Sequence, residues 1–207
     1  MKKLFVLIAT AIVCLNAAAQ VHFGIKVGVD ATNFWGKTNA GSIASYPWIV
    51  DHEMRLNYQA GFVMEYEFTS TFAIAPEVVF AAQGGKCTLG NPALSLQQSK
   101  VTHTTNYINI PVMLKFYMSP AFSIDLGPQV GFNVYSKAKI ESGDLSDAKD
   151  YTKNFDFGIG LGGTYNLTDK AFIQARYTMG LTKVFMQDEH GNNAKNGNIQ
   201  LAFGLKF

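Results

Sequence analysis

Four histidines are the first residues to weigh for chemistry. His103 follows Ser99 at close range, and His52 stands between Asp51 and Glu53. A base beside a nucleophile or a carboxylate is what an enzyme acting on surface lipid would need. His22 and His190 join neither group, and no spacing ties the four together, so no catalytic residue is assigned. No His, Cys, Asp or Glu spacing suits a metal site either. Gly158-Ile159-Gly160-Leu161-Gly162-Gly163 has the letters of a dinucleotide fingerprint, but that motif needs a helix opening at its glycines. Here apolar residues keep alternating through Tyr165, and no cofactor is expected.

The charges are more informative. Lys26, Asp30, Glu65, Glu67, Glu77, Lys115, Asp125, Asp156, Arg176 and Lys206 all fall opposite the apolar positions of alternating segments. Ionisable groups lining the inside of a membrane protein serve either as a proton or solute path or as a structural ion-pair plug. The plug is preferred, because eight strands leave an interior just wide enough for side chains to fill. The candidates for it are Lys26, Glu77, Lys115, Asp125 and Arg176. Counted up from the short turns, Glu77 and Arg176 reach mid-depth, as Lys26 does from the N-terminal side, so Glu77 is expected to pair with Arg176 or Lys26. Lys115 and Asp125 face each other across the turn at 118–121 and are expected to form a cross-strand pair.

Positioning these groups requires strands. At 21–30 the odd positions are Val21, Phe23, Ile25, Val27 and Val29, and the even ones His22, Gly24, Lys26, Gly28 and Asp30. A period of two puts each set on its own face of a strand. The pattern returns at 56–68, 72–83, 107–117, 122–135, 155–165, 171–183 and 199–207. Each segment is long enough to cross a bilayer as a tilted strand, and no stretch shows a helical period.

Three features favour a membrane barrel over a soluble β-sandwich or lipocalin-like barrel. Tight turns near 69–71, 118–121 and 166–169 alternate with long polar connections at 32–55, 84–106, 136–154 and 184–197, the outer-membrane arrangement. Phe23, Tyr66, Phe68, Phe72, Phe116, Phe122, Tyr165 and Phe207 gather on the apolar face at the short-turn rim, where rings suit the headgroup level. Most strand glycines lie on the polar face and relieve crowding inside a narrow closed barrel. The predicted fold is therefore all-β, an eight-stranded antiparallel up-and-down transmembrane β-barrel. Pro76, Pro111 and Pro128 each remove a ladder donor and should sit at bulges or unpaired positions.

Residues 1–20 stand apart. Lys2 and Lys3 precede an apolar run, and Ala17-Ala18-Ala19 supplies a small-x-small cleavage pattern. Residues 1–20 are expected to be a cleavable signal peptide and residues 21–207 the barrel domain. Mass spectrometry of the membrane form should then find a chain starting at Gln20 or Val21, and an intact Met1 in that fraction would defeat the assignment. Two of the seventeen basic residues lie in the leader and all fifteen acids lie beyond it, so the mature chain is balanced at fifteen of each. That balance offers no footprint for nucleic acid. Cys87 remains alone once Cys14 leaves with the leader, too few for an internal disulfide.

The opening Phe23-Gly24-Ile25-Lys26-Val27-Gly28 is one of several motifs pointing to a known family. Others are Pro76-Glu77, Tyr107-Ile108-Asn109-Ile110-Pro111, Leu126-Gly127-Pro128, Gly158-Ile159-Gly160-Leu161-Gly162, and Ala175-Arg176-Tyr177 with Gly180-Leu181. Together they resemble the PorT-like outer-membrane β-barrel family common in Bacteroidota, over nearly all of the mature chain. The resemblance implies the barrel fold. The namesake's part in a secretion system is one role within a family whose motifs specify function poorly.

The expected location is the cell outer membrane, with both termini periplasmic and the long loops extracellular. Expected partners are outer-membrane lipid, the barrel-assembly machinery and an envelope or extracellular protein. The leading function is non-enzymatic, structural or partner-binding; a narrow solute pore and a lipid-modifying enzyme are the alternatives. Phe207 closes the alternation Leu201, Phe203, Leu205 and resembles the aromatic signal read by the assembly machinery. Phe207→Asp should lower the amount of folded barrel, and unchanged assembly would refute the role.

Overall fold

The alternating segments become eight long strands. They are β1 (Gln20–Trp35), β2 (Arg55–Thr69), β3 (Phe72–Asn91), β4 (Leu96–Ser119), β5 (Phe122–Ile140), β6 (Phe155–Asn166), β7 (Ala171–Gly180) and β8 (Lys195–Lys206). The computed structural model describes residues 20–35, 42–43, 46–47, 49–91, 96–140, 145–147, 153–184 and 195–207. The expected leader, apart from Gln20, lies outside them. Each strand pairs antiparallel with the next, and β8 closes on β1 through a register running from Gly24↔Lys206 to Trp35↔Lys195. The molecule is a closed eight-stranded antiparallel β-barrel, without a helix among the described residues. Closure leaves no unpaired edge, which in hydrocarbon would cost several kcal/mol per orphaned group.

Burial is inverted relative to a water-soluble protein. Lys26, Asp30, Glu65, Glu77, Lys115, Asp125 and Arg176 are buried, while the outward wall is apolar, with Leu56 73% and Phe62 69% exposed. So continuous an apolar wall is not tolerated in water and matches a lipid solvent. At the short-turn rim, rings form an unbroken belt across three strands. Tyr66 meets Phe68 at 4.6 Å, Phe68 meets Phe72 at 5.5 Å, and Phe72 meets Phe116 at 5.3 Å between centroids.

Several segments depart from the sequence expectation. The stretch at 84–106, expected as a loop, is mostly strand, and those at 32–55 and 136–154 contain strand at 32–35, 49–53, 136–140 and 145–147. β3 runs on to Asn91, β4 begins at Leu96 and β5 continues to Ile140. Short strands at Ile49–Glu53 and Leu145–Asp147 add to this extension by pairing with β3 and β5. The apolar alternation stops where lipid stops, but the backbone ladder does not, because pairing satisfies N–H and C=O groups on either side of that boundary. At the other end of the sequence, the segment expected at 171–183 stops as strand at Gly180.

The prolines mark a diagonal seam. The β2–β3 ladder lacks a pair at Pro76, the β3–β4 ladder at Pro111 and the β4–β5 ladder at Pro128, while pairing continues in the same register on either side. Each gap falls where a missing N–H could not have donated.

Candidate functional site in the barrel lumen

Mid-depth in the lumen, three strands deliver three charges to one point. Glu77 on β3 faces inward because Val78 and Phe80 must face lipid, and Lys26 and Arg176 are inward for the same reason on β1 and β7. Arg176 grips the carboxylate at both oxygens, Nη2 to Oε1 at 2.6 Å and Nη1 to Oε2 at 3.0 Å. Lys26 Nζ donates to Glu77 Oε2 at 2.6 Å and to Gln174 Oε1 at 2.9 Å. All three charges are buried, so each is held by the strong charge-assisted geometry that interior ions require. Small residues make the room: a Cβ on Gly160 would stand 3.3 Å from both Arg176 Cδ and Met113 Cε.

The network continues toward the short-turn rim through neutral groups. Gln174 Nε2 donates to Thr164 Oγ1 at 3.2 Å, Thr164 Oγ1 to Asp125 Oδ2 at 2.5 Å, and Ser123 Oγ to Asp125 Oδ1 at 2.7 Å. Nearer the rim lies a second cluster around Glu65. It accepts from Lys115 Nζ at 2.6 Å, from Lys206 Nζ at 3.2 Å and from the Tyr117 hydroxyl.

Lys115 and Asp125 are register neighbours on β4 and β5, but the expected pair between them does not form. Lys115 turns the other way, over the small buried Ala73 and Ala75 of β3, to reach Glu65 on β2. Asp125 has both oxygens occupied by the Ser123 and Thr164 hydroxyls. Cross-strand position allows a pair, but the small residues of an intervening strand offer Lys115 a better one.

Between the two clusters is a cavity of about 10 Å³, bordered by Glu65, Glu77, Lys115, Asp125 and Arg176. That is the space of about one water molecule. Beyond the Glu65 cluster the barrel opens at the short-turn rim into a mouth of about 460 Å³, lined by His22, Glu67, Asp169 and Lys206 among others. His22 Nε2 lies 3.7 Å from Glu67 Oε1 there. The contrast in volume locates the constriction at the ion pairs.

Toward the long-loop rim the lumen stays polar. Asp156 accepts from the Thr182 hydroxyl and from Asn196 Nδ2, the latter at 2.8 Å, tying the starts of β6 and β8 to the segment just after β7. Asp30 is fully buried, with neither oxygen hydrogen-bonded among the described residues. Its balancing charges are Lys26 and Arg176. Alternation places Asp30 on the lumen face, but its lack of a direct partner depends on depth and rotamer, which carry no sequence signal.

The side chains of His52, Asp51, Glu53, Ser99, His103 and His190 lie outside the described residues, as does that of Cys87. Among the described residues no three of His, Cys, Asp and Glu gather as metal ligands. Phe207 is outward and exposed, and its N–H donates to Phe23 O at 2.8 Å, fastening the chain end to β1.

A closed barrel with an apolar outer wall and a charge-filled interior is a transmembrane β-barrel of the outer-membrane class. The chain belongs to the outer membrane protein beta-barrel domain family, whose model matches residues 16–186. That membership puts the protein in the cell outer membrane. The fold is similar to that of Neisserial surface protein A, at 11% identity and a TM-score of 0.53, over 89% of this chain and 97% of that one. Two further solved structures are similar at lower scores. Ail, the attachment invasion locus protein of Yersinia pestis, solved in complex with the heparin analogue sucrose octasulfate, has 16% identity and a TM-score of 0.49 over 91% of this chain and 99% of that one. OprG from Pseudomonas aeruginosa has 13% identity and a TM-score of 0.43 over 90% and 95%. No curated protein matches the sequence.

Proposed function

We propose that the protein is a non-enzymatic outer-membrane barrel of the PorT-like type, sealed through its centre, whose work is done at its rims. The observation that carries this is the Glu77 carboxylate held at once by Lys26 and Arg176, beside a cavity no larger than a water molecule. Such a lumen favours a structural plug over a solute path. What remains for function is the long-loop rim, which takes the extracellular side, and the short-turn rim with both chain ends, which takes the periplasmic side. An envelope or extracellular protein bound at one of these rims, in support of the envelope or of secretion, is the role that fits. Outer-membrane lipid and the barrel-assembly machinery are the other partners.

Deletion should weaken envelope integrity or secretion, and overexpression should leave the mass profile of the membrane lipids unchanged. A change in lipid mass on overexpression would instead establish a lipid-modifying enzyme. Purification of the native barrel from its own membrane should bring the partner with it.

A further inference from the structure

The lipid-facing wall is asymmetric in charge. At the short-turn rim it presents the rings of Phe23, Phe68, Phe72, Phe116, Phe122 and Tyr165, while Lys206 of the same rim turns inward. At the long-loop rim the outward rings carry lysines. Lys195 Nζ lies 4.9 Å from the centre of the Trp35 ring, and Lys137 Nζ lies 5.3 Å from that of Tyr135. Trp35 is fixed in place by its indole N–H, which donates to Asn196 O at 3.0 Å.

The second pair depends on a bulge. Opposite Asn106 and Tyr107 of β4, one extra residue enters β5 at Val134. Val134 and Tyr135 are both exposed, because the bulge reverses the parity of everything beyond it. Without it Ser136 would face outward and Lys137 and Lys139 inward. With it Ser136 is buried, Tyr135 and Lys139 are exposed and Lys137 is half-buried along the same face. Bulges re-aim side chains in this way.

The height is right for a headgroup layer. At about 3.4 Å per residue and a tilt of about 40°, an apolar band of about 25 Å is crossed in roughly ten residues. Tyr135 stands 13 positions beyond Phe122 and Trp35 12 beyond Phe23, so both rings sit at the far interface with their lysines at or just above it. β5 is separated from β8 by two strands on one side and from β1 by three on the other, which puts the two lysine sites on well-separated parts of the circumference.

We propose that Lys137 and Lys139 beside Tyr135, and Lys195 beside Trp35, bind the phosphate groups of outer-leaflet glycolipids. The ring packs against acyl chain and sugar while the ammonium, carried on its flexible stem, meets the phosphate. At the opposite rim the outward strand positions carry no lysine among the described residues, Lys170 lying in the turn between β6 and β7, and this is the asymmetry that a membrane with its anionic glycolipid in one leaflet would select. This inference rests on the orientation proposed above, with the long-loop rim outward.

The test uses the folded mature barrel in nanodiscs containing a small fraction of either bisphosphorylated lipid A or its phosphate-free form, with bound lipid counted by native mass spectrometry. The native barrel should retain the phosphorylated form preferentially. Each lysine near an anionic surface contributes about fivefold, so K137Q/K139Q/K195Q should lose on the order of a hundredfold, with the barrel still folded by circular dichroism. Equal retention of the two lipids, or a preference unchanged in the triple variant, overturns the proposal. Orientation is checked separately by an epitope inserted between Asp169 and Lys170 in intact cells. It should be inaccessible to antibody, and accessibility would overturn the orientation and the leaflet assignment with it, whatever the lipid preference.

Discussion

Replacing Glu77 with Gln is expected to lower the unfolding free energy of the barrel by about 3–5 kcal/mol, because it takes from two buried cations the one carboxylate that hydrogen-bonds them both. Lys26 on β1 and Arg176 on β7, the strand opposite β3 across the barrel, reach the same carboxylate, and neither can turn to solvent from mid-depth. Denaturant unfolding in detergent micelles, followed by the gel-mobility shift of folded barrels, reads the change. The companion variant Lys26→Met/Asp30→Asn/Glu77→Leu/Arg176→Met removes the two cations together with both carboxylates that balance them and should recover much of the loss, since a buried ion cluster is often no more stable than apolar groups of similar volume. A loss below about 0.5 kcal/mol for Glu77→Gln would mean that water reaches these groups and that the lumen is open.

The second large effect lies on the opposite face. Leu161 is 55% exposed on the outer wall, flanked in register by Leu126 and Tyr177, and sits near mid-depth above the Tyr165 rim. In a soluble protein, exchanging so exposed a leucine for arginine would be nearly neutral. At a bilayer midplane the same change costs about 2–4 kcal/mol, falling to about 0–1 near the interfaces. Leu161→Arg should therefore destabilise the lipid-reconstituted barrel by that amount, and Tyr165→Arg by much less. Equal and small effects at both depths would contradict a lipid-facing wall.

How much of this was legible in the sequence depends on the kind of information each feature needs. The face on which Lys26, Glu77 and Arg176 stand follows from the period of two, and their depth from counting up from short turns. A three-way meeting at one carboxylate was within reach on those grounds, although only one of the two cations was required to pair. The partner of Lys115 was not. Its choice of Glu65 depends on Ala73 and Ala75 lying low on the strand between, a fact about a surface rather than a spacing. The polar extensions of β3, β4 and β5 were hidden because apolar alternation reports the solvent and not the hydrogen bonds. Nor does the bulge at Val134 announce itself. Val134 and Tyr135 read as a simple continuation of the strand, yet that single extra residue decides which way Lys137 and Lys139 face.

The central claim, that the charges seal the barrel, is tested most directly by electrical conductance in planar bilayers. The native barrel, inserted and shown to be folded, should give no discrete conductance steps above the bare membrane. Lys26→Gly/Glu77→Gly/Arg176→Gly, which removes the plug side chains while leaving the outer wall intact, should give steps wherever it folds. Stable ion-conducting steps from the native barrel would contradict the seal and make the protein a narrow pore.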